Sequence, residues 1–259
     1  MQLPIYLLIV PYVLAFIFGT AIFSFLNVVI YRLPAKEDFV KGRSKCPNCG
    51  HVLSFLDMVP ILSWILLGRK CRYCGAKISV RYPIVEALGG IAAVTCVMVY
   101  GFSIYALLAF VLCSLLTCVG FIDHDTMLIP DGLNIAIALI GIPAVFLTEG
   151  VKWYEHIIGA FIISAFMLVL ALIIPRAFGG GDIKLMAACG FFLGWKNAVF
   201  AFFIAILTGG VIAVIMLLGK EKDKKALISF GPFICIGVVT AMFIGDRVID
   251  LYLGTIFGL

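Results

Sequence analysis

Long apolar runs decide what this chain can fold into. They fall at roughly residues 5–30, 84–101, 104–122, 133–148, 157–175, 198–218 and 229–245, each close to the ~20 residues that carry a helix across a bilayer. With 64 % apolar and only 13 % charged residues among 259, a soluble domain with a large core is excluded. A shorter apolar piece, Ile183 to Leu193, brings the count of spans from seven to eight. The first run lacks a basic leader and a small-residue cleavage pattern, so it reads as a retained helix.

Basic residues set the orientation. The segment from Arg32 to Arg81 carries ten of the 19 Lys and Arg, and "KEKDKK" at 220–225 carries four more. Both belong in the cytoplasm, and an even number of spans then places both termini outside. The chain is expected to be an all-α polytopic membrane protein of about eight transmembrane helices. It divides into a first transmembrane helix (1–31), a cytoplasmic loop domain (32–82) and a membrane-embedded domain (83–259). Its net charge of +5 is read as orientation and contact with anionic lipid, not as a nucleic-acid footprint.

The polar island is too small to build a strong core alone and needs a staple. "CPNCG" at 46–50 and "CRYCG" at 71–75 supply one, as C-x2-C-x21-C-x2-C. In each knuckle a glycine lets the backbone turn beneath two thiolates. Cys46, Cys49, Cys71 and Cys74 together make a tetrahedral set for Zn2+, structural because four sulfurs leave no open position. Two disulfides are the competing reading, disfavoured in a reducing compartment. The apolar "DMVPILSWILLG" (57–68) between the knuckles is too short to span and reads as a dip into the interface or as ribbon core. Cys96, Cys113, Cys118, Cys189 and Cys235 lie in apolar runs and read as small buried hydrophobes.

Carboxylates next to hydrocarbon are costly and mark function by default. Asp123 ends the apolar run "LLTCVGFI", and Asp182 follows three glycines in "RAFGGGDIKL". Asp125 suits a solvated turn, Asp131 a helix N-cap after Pro130, and His124 a loop. If Asp123 and Asp182 meet, they form either an aspartic-protease dyad, in which one takes a proton from water while the other protonates a peptide carbonyl, or an ion pathway. Gly179, Gly180 and Gly181 favour the first, by leaving main-chain groups open to a peptide strand.

Four stretches in order, "SFLNVVIYRLP" (24–34), the cysteine-bearing segment 46–88, "IDHDTMLIPD" (122–131) and "GGGDIKL" (179–185), make the chain resemble the type IV prepilin peptidases. These are bifunctional leader peptidases and N-methyltransferases of the bacterial inner membrane. The resemblance implies an intramembrane aspartic protease of the Gly-x-Gly-Asp class with Asp123 and Asp182 catalytic and Asp125 dispensable. It implies prepilin or pseudopilin substrates cut at the cytoplasmic face, with Gly179, Gly180, Gly181 and Lys184 near the substrate. It also implies methylation of the new N terminus with S-adenosylmethionine. No nucleotide-binding glycine loop supports that second activity independently, and Arg32, Arg81 and Glu86 are the polar candidates for the cofactor. Phe23 departs from the family, whose members tend to have glycine there. For the basic leader of a substrate, Asp38, Asp57 or anionic lipid is the expected counter-charge.

Overall fold

The computed structural model describes residues 5–148, 150–174, 177–218 and 229–257. The basic stretch 220–225 lies outside them. Nine helices are present among the described residues: α1 (Ile5–Arg32), α2 (Leu62–Leu66), α3 (Arg81–Tyr100), α4 (Ile104–Thr126), α5 (Asp131–Leu147), α6 (Trp153–Ile173), α7 (Gly180–Leu193), α8 (Trp195–Leu218) and α9 (Gly231–Phe257). Six of them are long and apolar enough to cross a membrane. With α5 at 17 residues and α7 at 14, the membrane-scale helices number eight. The reason is the one the apolar runs announce: in hydrocarbon every main-chain polar group must be paired within its own segment.

The chain forms two compact units, residues 1–110 and 111–259. In the first, α3 packs along α1. Phe23, fully buried, lies against Gly89, where a Cβ would collide with its ring, and its ring centroid is 5.9 Å from that of Phe110. A large side chain on α1 is thus matched by a missing one on α3. The 50-residue island between them has little regular structure: a 3-10 turn at Phe55–Asp57, α2, and two isolated antiparallel bridges, Lys45 with Val52 and Lys70 with Lys77.

In the second unit α7 is central, packed by α5, α6, α8 and α9. Its contact with α6 is a backbone contact: a Cβ on Gly159 would run into the Gly190 carbonyl, and one on Gly190 into the Gly159 carbonyl. Close approach through small residues is how helices associate where lipid offers no hydrophobic drive. His156, completely buried on α6, fastens the same pair through Nδ1, 2.9 Å from the Phe191 carbonyl oxygen. Large apolar side chains point outward, among them Leu139, Phe161, Val211 and Ile215, as a lipid-facing surface requires. The five membrane-run cysteines are all buried. Gly159→Ala is expected to push α6 and α7 apart and to destabilise the protein by about 1–3 kcal/mol, the usual overpacking cost; a thermal melt in detergent would show it.

Candidate active site and metal centre

Asp123 lies three residues before the end of α4 and is buried, 5 % exposed. Its Oδ2 accepts a 3.0 Å hydrogen bond from the Gly231 amide, the first residue of α9, and the Ser229 side chain also hydrogen-bonds to the carboxylate. A Cβ on Gly231 would stand only 2.5 Å from that oxygen, so the contact requires glycine. Asp125, two residues on, is exposed, as is His124. The helix therefore turns one of its two terminal acids inward and one outward.

Asp182 is the third residue of α7 and its Oδ2 accepts the Gly179 amide at 3.1 Å. Asp182 thus sits at the N-terminus of its own helix, and the Asp123 carboxylate, from the last turn of α4, reaches the N-terminus of α9, where exposed N–H groups and the helix dipole favour a carboxylate. Asp182 feels the charge of Asp123, and the Cys235 thiol of α9 lies within range of both. Two acids 59 positions apart in sequence thus come within electrostatic reach of one another.

The glycines before Asp182 are not required by backbone strain. None takes a left-handed φ. A Cβ at Gly179 would press on the Asp182 carboxylate at 3.1 Å, and one at Gly181 on Ile129 at 3.1 Å, whereas Gly180 faces open space. Lys184 is paired with Asp131, Nζ to Oδ1 2.8 Å, with both side chains exposed. Asp131 is accordingly the first residue of α5, not its N-cap. Pro130 takes that position in extended conformation and makes no side-chain cap.

The four cysteine sulfurs lie within 4.8 Å of one another. Four Zn–S bonds of ~2.3 Å place tetrahedral sulfurs ~3.8 Å apart, so the cage is the size for one ion with slight closure. The two knuckles are near copies. The Cys46 amide donates to His51 O at 2.9 Å and that of Cys71 to Ala76 O at 2.8 Å, while Gly50 and Gly75 donate back to the two cysteine carbonyls. Both glycines sit at φ +70°, the turn read from the motif. Cys46 Sγ and Cys74 Sγ are 3.9 Å apart, far beyond a disulfide. The Ala76 amide and the Asn48 side chain hold the Cys74 thiol down at about 6, ready to ligate as thiolate.

Asp57 ties the island together. It accepts from the Ser54 hydroxyl (2.7 Å) and amide (3.0 Å), from Arg72 Nε (2.8 Å) and from the Tyr73 hydroxyl (3.1 Å). Asp38 caps its own loop through the amides of Val40 and Lys41. Both carboxylates have structural duties.

Of the cofactor candidates, Glu86 is buried and accepts from the Ser24 hydroxyl and the Ile61 amide, each at 2.7 Å. Ile61 adopts φ +61°, a costly geometry for a β-branched residue, and its amide thereby meets Glu86. Arg81 lies over the Tyr31 ring, which stacks on Tyr82. Arg32 donates to the Asp38 and Lys41 carbonyls, away toward the loop. Sequence reading missed Asn27, 2 % exposed on α1, as well as Asn134, His156 and Gly231. The first three are polar groups inside apolar runs, a signal on which the expense of burial could have acted. Gly231 carries only the Pro232 that follows it, a residue type suited to a helix's first turn.

The fold defines a multi-pass helical membrane protein with two acids, Asp123 and Asp182, each held by a glycine amide at the start of a helix. Residues 17–100 match the bacterial peptidase A24 N-terminal domain, and residues 110–214 match the type IV leader peptidase family; the chain belongs to that family. It is 33 % identical to a Bacillus subtilis prepilin leader peptidase/N-methyltransferase over 94 % of this chain and 98 % of that one. A Legionella pneumophila protein of the same name is 32 % identical over 94 % of both. One from Myxococcus xanthus is 37 % identical over 81 % of this chain, which spans 64 % of that relative's length. No solved structure matches the chain.

The four hydrogen bonds at Asp57 hold its carboxyl down at about 2, the Ser54 hydroxyl foremost. A folded-state pKa below the unfolded ~3.9 stabilises the loop fully above about pH 4, and the contribution is lost as pH falls toward 2. The stability difference between the protein and its Asp57→Asn variant should therefore be constant from pH 7 to about 4 and shrink below it, read by limited proteolysis of the loop.

Proposed function

We propose that this chain cleaves the leader from prepilin or pseudopilin substrates with Asp123 and Asp182 as the catalytic pair, at the cytoplasmic face of the bacterial inner membrane. The observation that supports the reading is that Asp182, held by the start of α7, and Asp123, held by the start of α9, lie within electrostatic reach of each other. The ionised member takes a proton from water, whose oxygen attacks the scissile carbonyl carbon. The protonated member gives its proton to the carbonyl oxygen; the tetrahedral intermediate then collapses as the acid that took the water proton passes it to the leaving nitrogen and the other takes a proton back from the intermediate's hydroxyl, which releases the amine and the carboxylic acid. The amides of Gly231 and Gly179 hold the two carboxylates in orientation. Gly179, Gly180 and Gly181 offer main chain to the substrate strand, and the open space at Gly180 supports this. Lys184, held by Asp131, marks the membrane boundary beside that strand. The cytoplasmic assignment rests on the ten basic residues of the loop.

The names of the relatives support a second activity, N-methylation of the newly exposed residue. When bound, S-adenosylmethionine supplies an electrophilic methyl on its sulfonium. The buried Asn27 Oδ1, which lacks a protein partner, and the Glu86 carboxylate fit the cofactor's ammonium. Arg81 would take its carboxylate, with Arg32 on the loop side. Cys46, Cys49, Cys71 and Cys74 would hold one Zn2+, which shapes the loop and leaves no coordination position for chemistry.

Asp123→Asn and Asp182→Asn should each abolish leader removal from a prepilin-like peptide, followed by mass spectrometry, with membrane insertion intact. Retained cleavage in Asp123→Asn would move the role to Asp125. Gly180→Ala separates substrate contact from packing: the fold accommodates it, so a loss of cleavage with an unchanged melt assigns Gly180 to substrate, and full activity removes it. For the metal, elemental analysis should find one zinc per chain, falling in Cys49→Ser and Cys74→Ser. Substantially less than one in the unaltered protein defeats the assignment.

A further inference from the structure

A groove between α5, α6 and α7 lies on the side of α7 turned away from Asp182. Its α7 residues Lys184, Ala187, Ala188 and Phe191 stand roughly 140–240° around the helix from that acid, at 100° per residue. Ala138 of α5 and Ala160 of α6 complete the apolar walls, and the volume is about 540 Å³, within the ~300–1,000 Å³ of small-ligand sites. Three polar side chains line it. Asp131 and Lys184, an ion pair 2.8 Å apart, are 65 % and 60 % exposed. Asn134 is only 5 % exposed, and neither its amide nitrogen nor its oxygen has a partner in the protein. A buried primary amide with both ends unmet calls for a ligand that brings a donor or an acceptor. The neighbouring surface, Ile135 and Leu139 on α5 and Phe161 on α6, is exposed and apolar, so the groove opens beside lipid.

We propose that this groove binds a zwitterionic phospholipid carrying a primary ammonium, independently of the proteolytic reading. The side-by-side charges select the headgroup: Lys184 takes the phosphate and Asp131 the ammonium. The Asn134 amide meets an ester oxygen of the glycerol, and an acyl chain lies over the alanines. A purely anionic headgroup meets repulsion from Asp131. A quaternary one has no N–H to give it.

The test uses the full chain in detergent, incubated with equal amounts of phosphatidylethanolamine, phosphatidylglycerol and phosphatidylcholine, with retained lipid read by native mass spectrometry. Phosphatidylethanolamine should be retained several-fold over the other two. Asn134→Leu fills the slot and removes an unmet polar group, so its lipid-free melting temperature should be equal or higher while retention falls several-fold. Asp131→Asn, at an exposed position, should erase the preference for phosphatidylethanolamine over phosphatidylcholine. Equal retention by the unaltered protein and Asn134→Leu, or equal retention of phosphatidylglycerol and phosphatidylethanolamine, overturns the proposal and leaves the groove to water. Displacement of the lipid by a prepilin-like peptide also overturns it and assigns the groove to substrate.

Discussion

The hydrogen bond from the Gly231 amide to Asp123 organises the second unit. It closes the end of α4 onto the start of α9, across 108 residues of chain, and fixes which of two neighbouring acids faces inward. Asp182 is held in the same manner by the start of its own helix. Each carboxylate thus serves as the acceptor for an amide at a helix start. The N-terminal amides that any helix leaves unpaired become the means of holding acids at a membrane boundary, where charge without hydrogen bonds is expensive. The α6–α7 backbone contact then sets the position of α7, and so of Asp182, through Gly159 and Gly190.

The first unit follows a similar rule with different chemistry. Its island has no core of consequence, and its order rests on a few polar hubs: four converging sulfurs, the four-bond Asp57 site, and Glu86, which reaches from α3 to the Ile61 amide. The last of these couples the loop to the membrane helices through one buried carboxylate. On α2, Leu62, Ile65 and Leu66 are exposed.

The spans were legible because lipid forces every apolar run into one conformation: α1, α3 to α6 and α8 fall close to the runs that announced them, and α9 continues beyond its run to Phe257. The short piece after Asp182 was recovered by charge bias, and it is α7. The clustering of four cysteine sulfurs was legible because the cysteines lie in two local repeats. Asp123 and Asp182 could be singled out by their cost, but Gly231 could not, since nothing near it in sequence mentions an acid 108 positions away. Close packing adds a reason for two of the glycines that no local signal announces: a Cβ at Gly179 would press on Asp182 and one at Gly181 on Ile129. Asp131 was misplaced by one position because Pro130, with its fixed φ, could occupy the cap, and Lys184 then claimed the carboxylate.

The length of α7 has a consequence for its surroundings. At 14 residues and 1.5 Å per residue it is about 21 Å long, against about 30 Å of hydrocarbon. Its neighbours α6, α8 and α9 run to 21, 24 and 27 residues, and α7 is packed among them, so the shortfall falls inside the helix cluster and not at the lipid. Enclosed by longer helices, a short one can hold a polar residue of its first turn, here Asp182, short of the full depth that its neighbours cross.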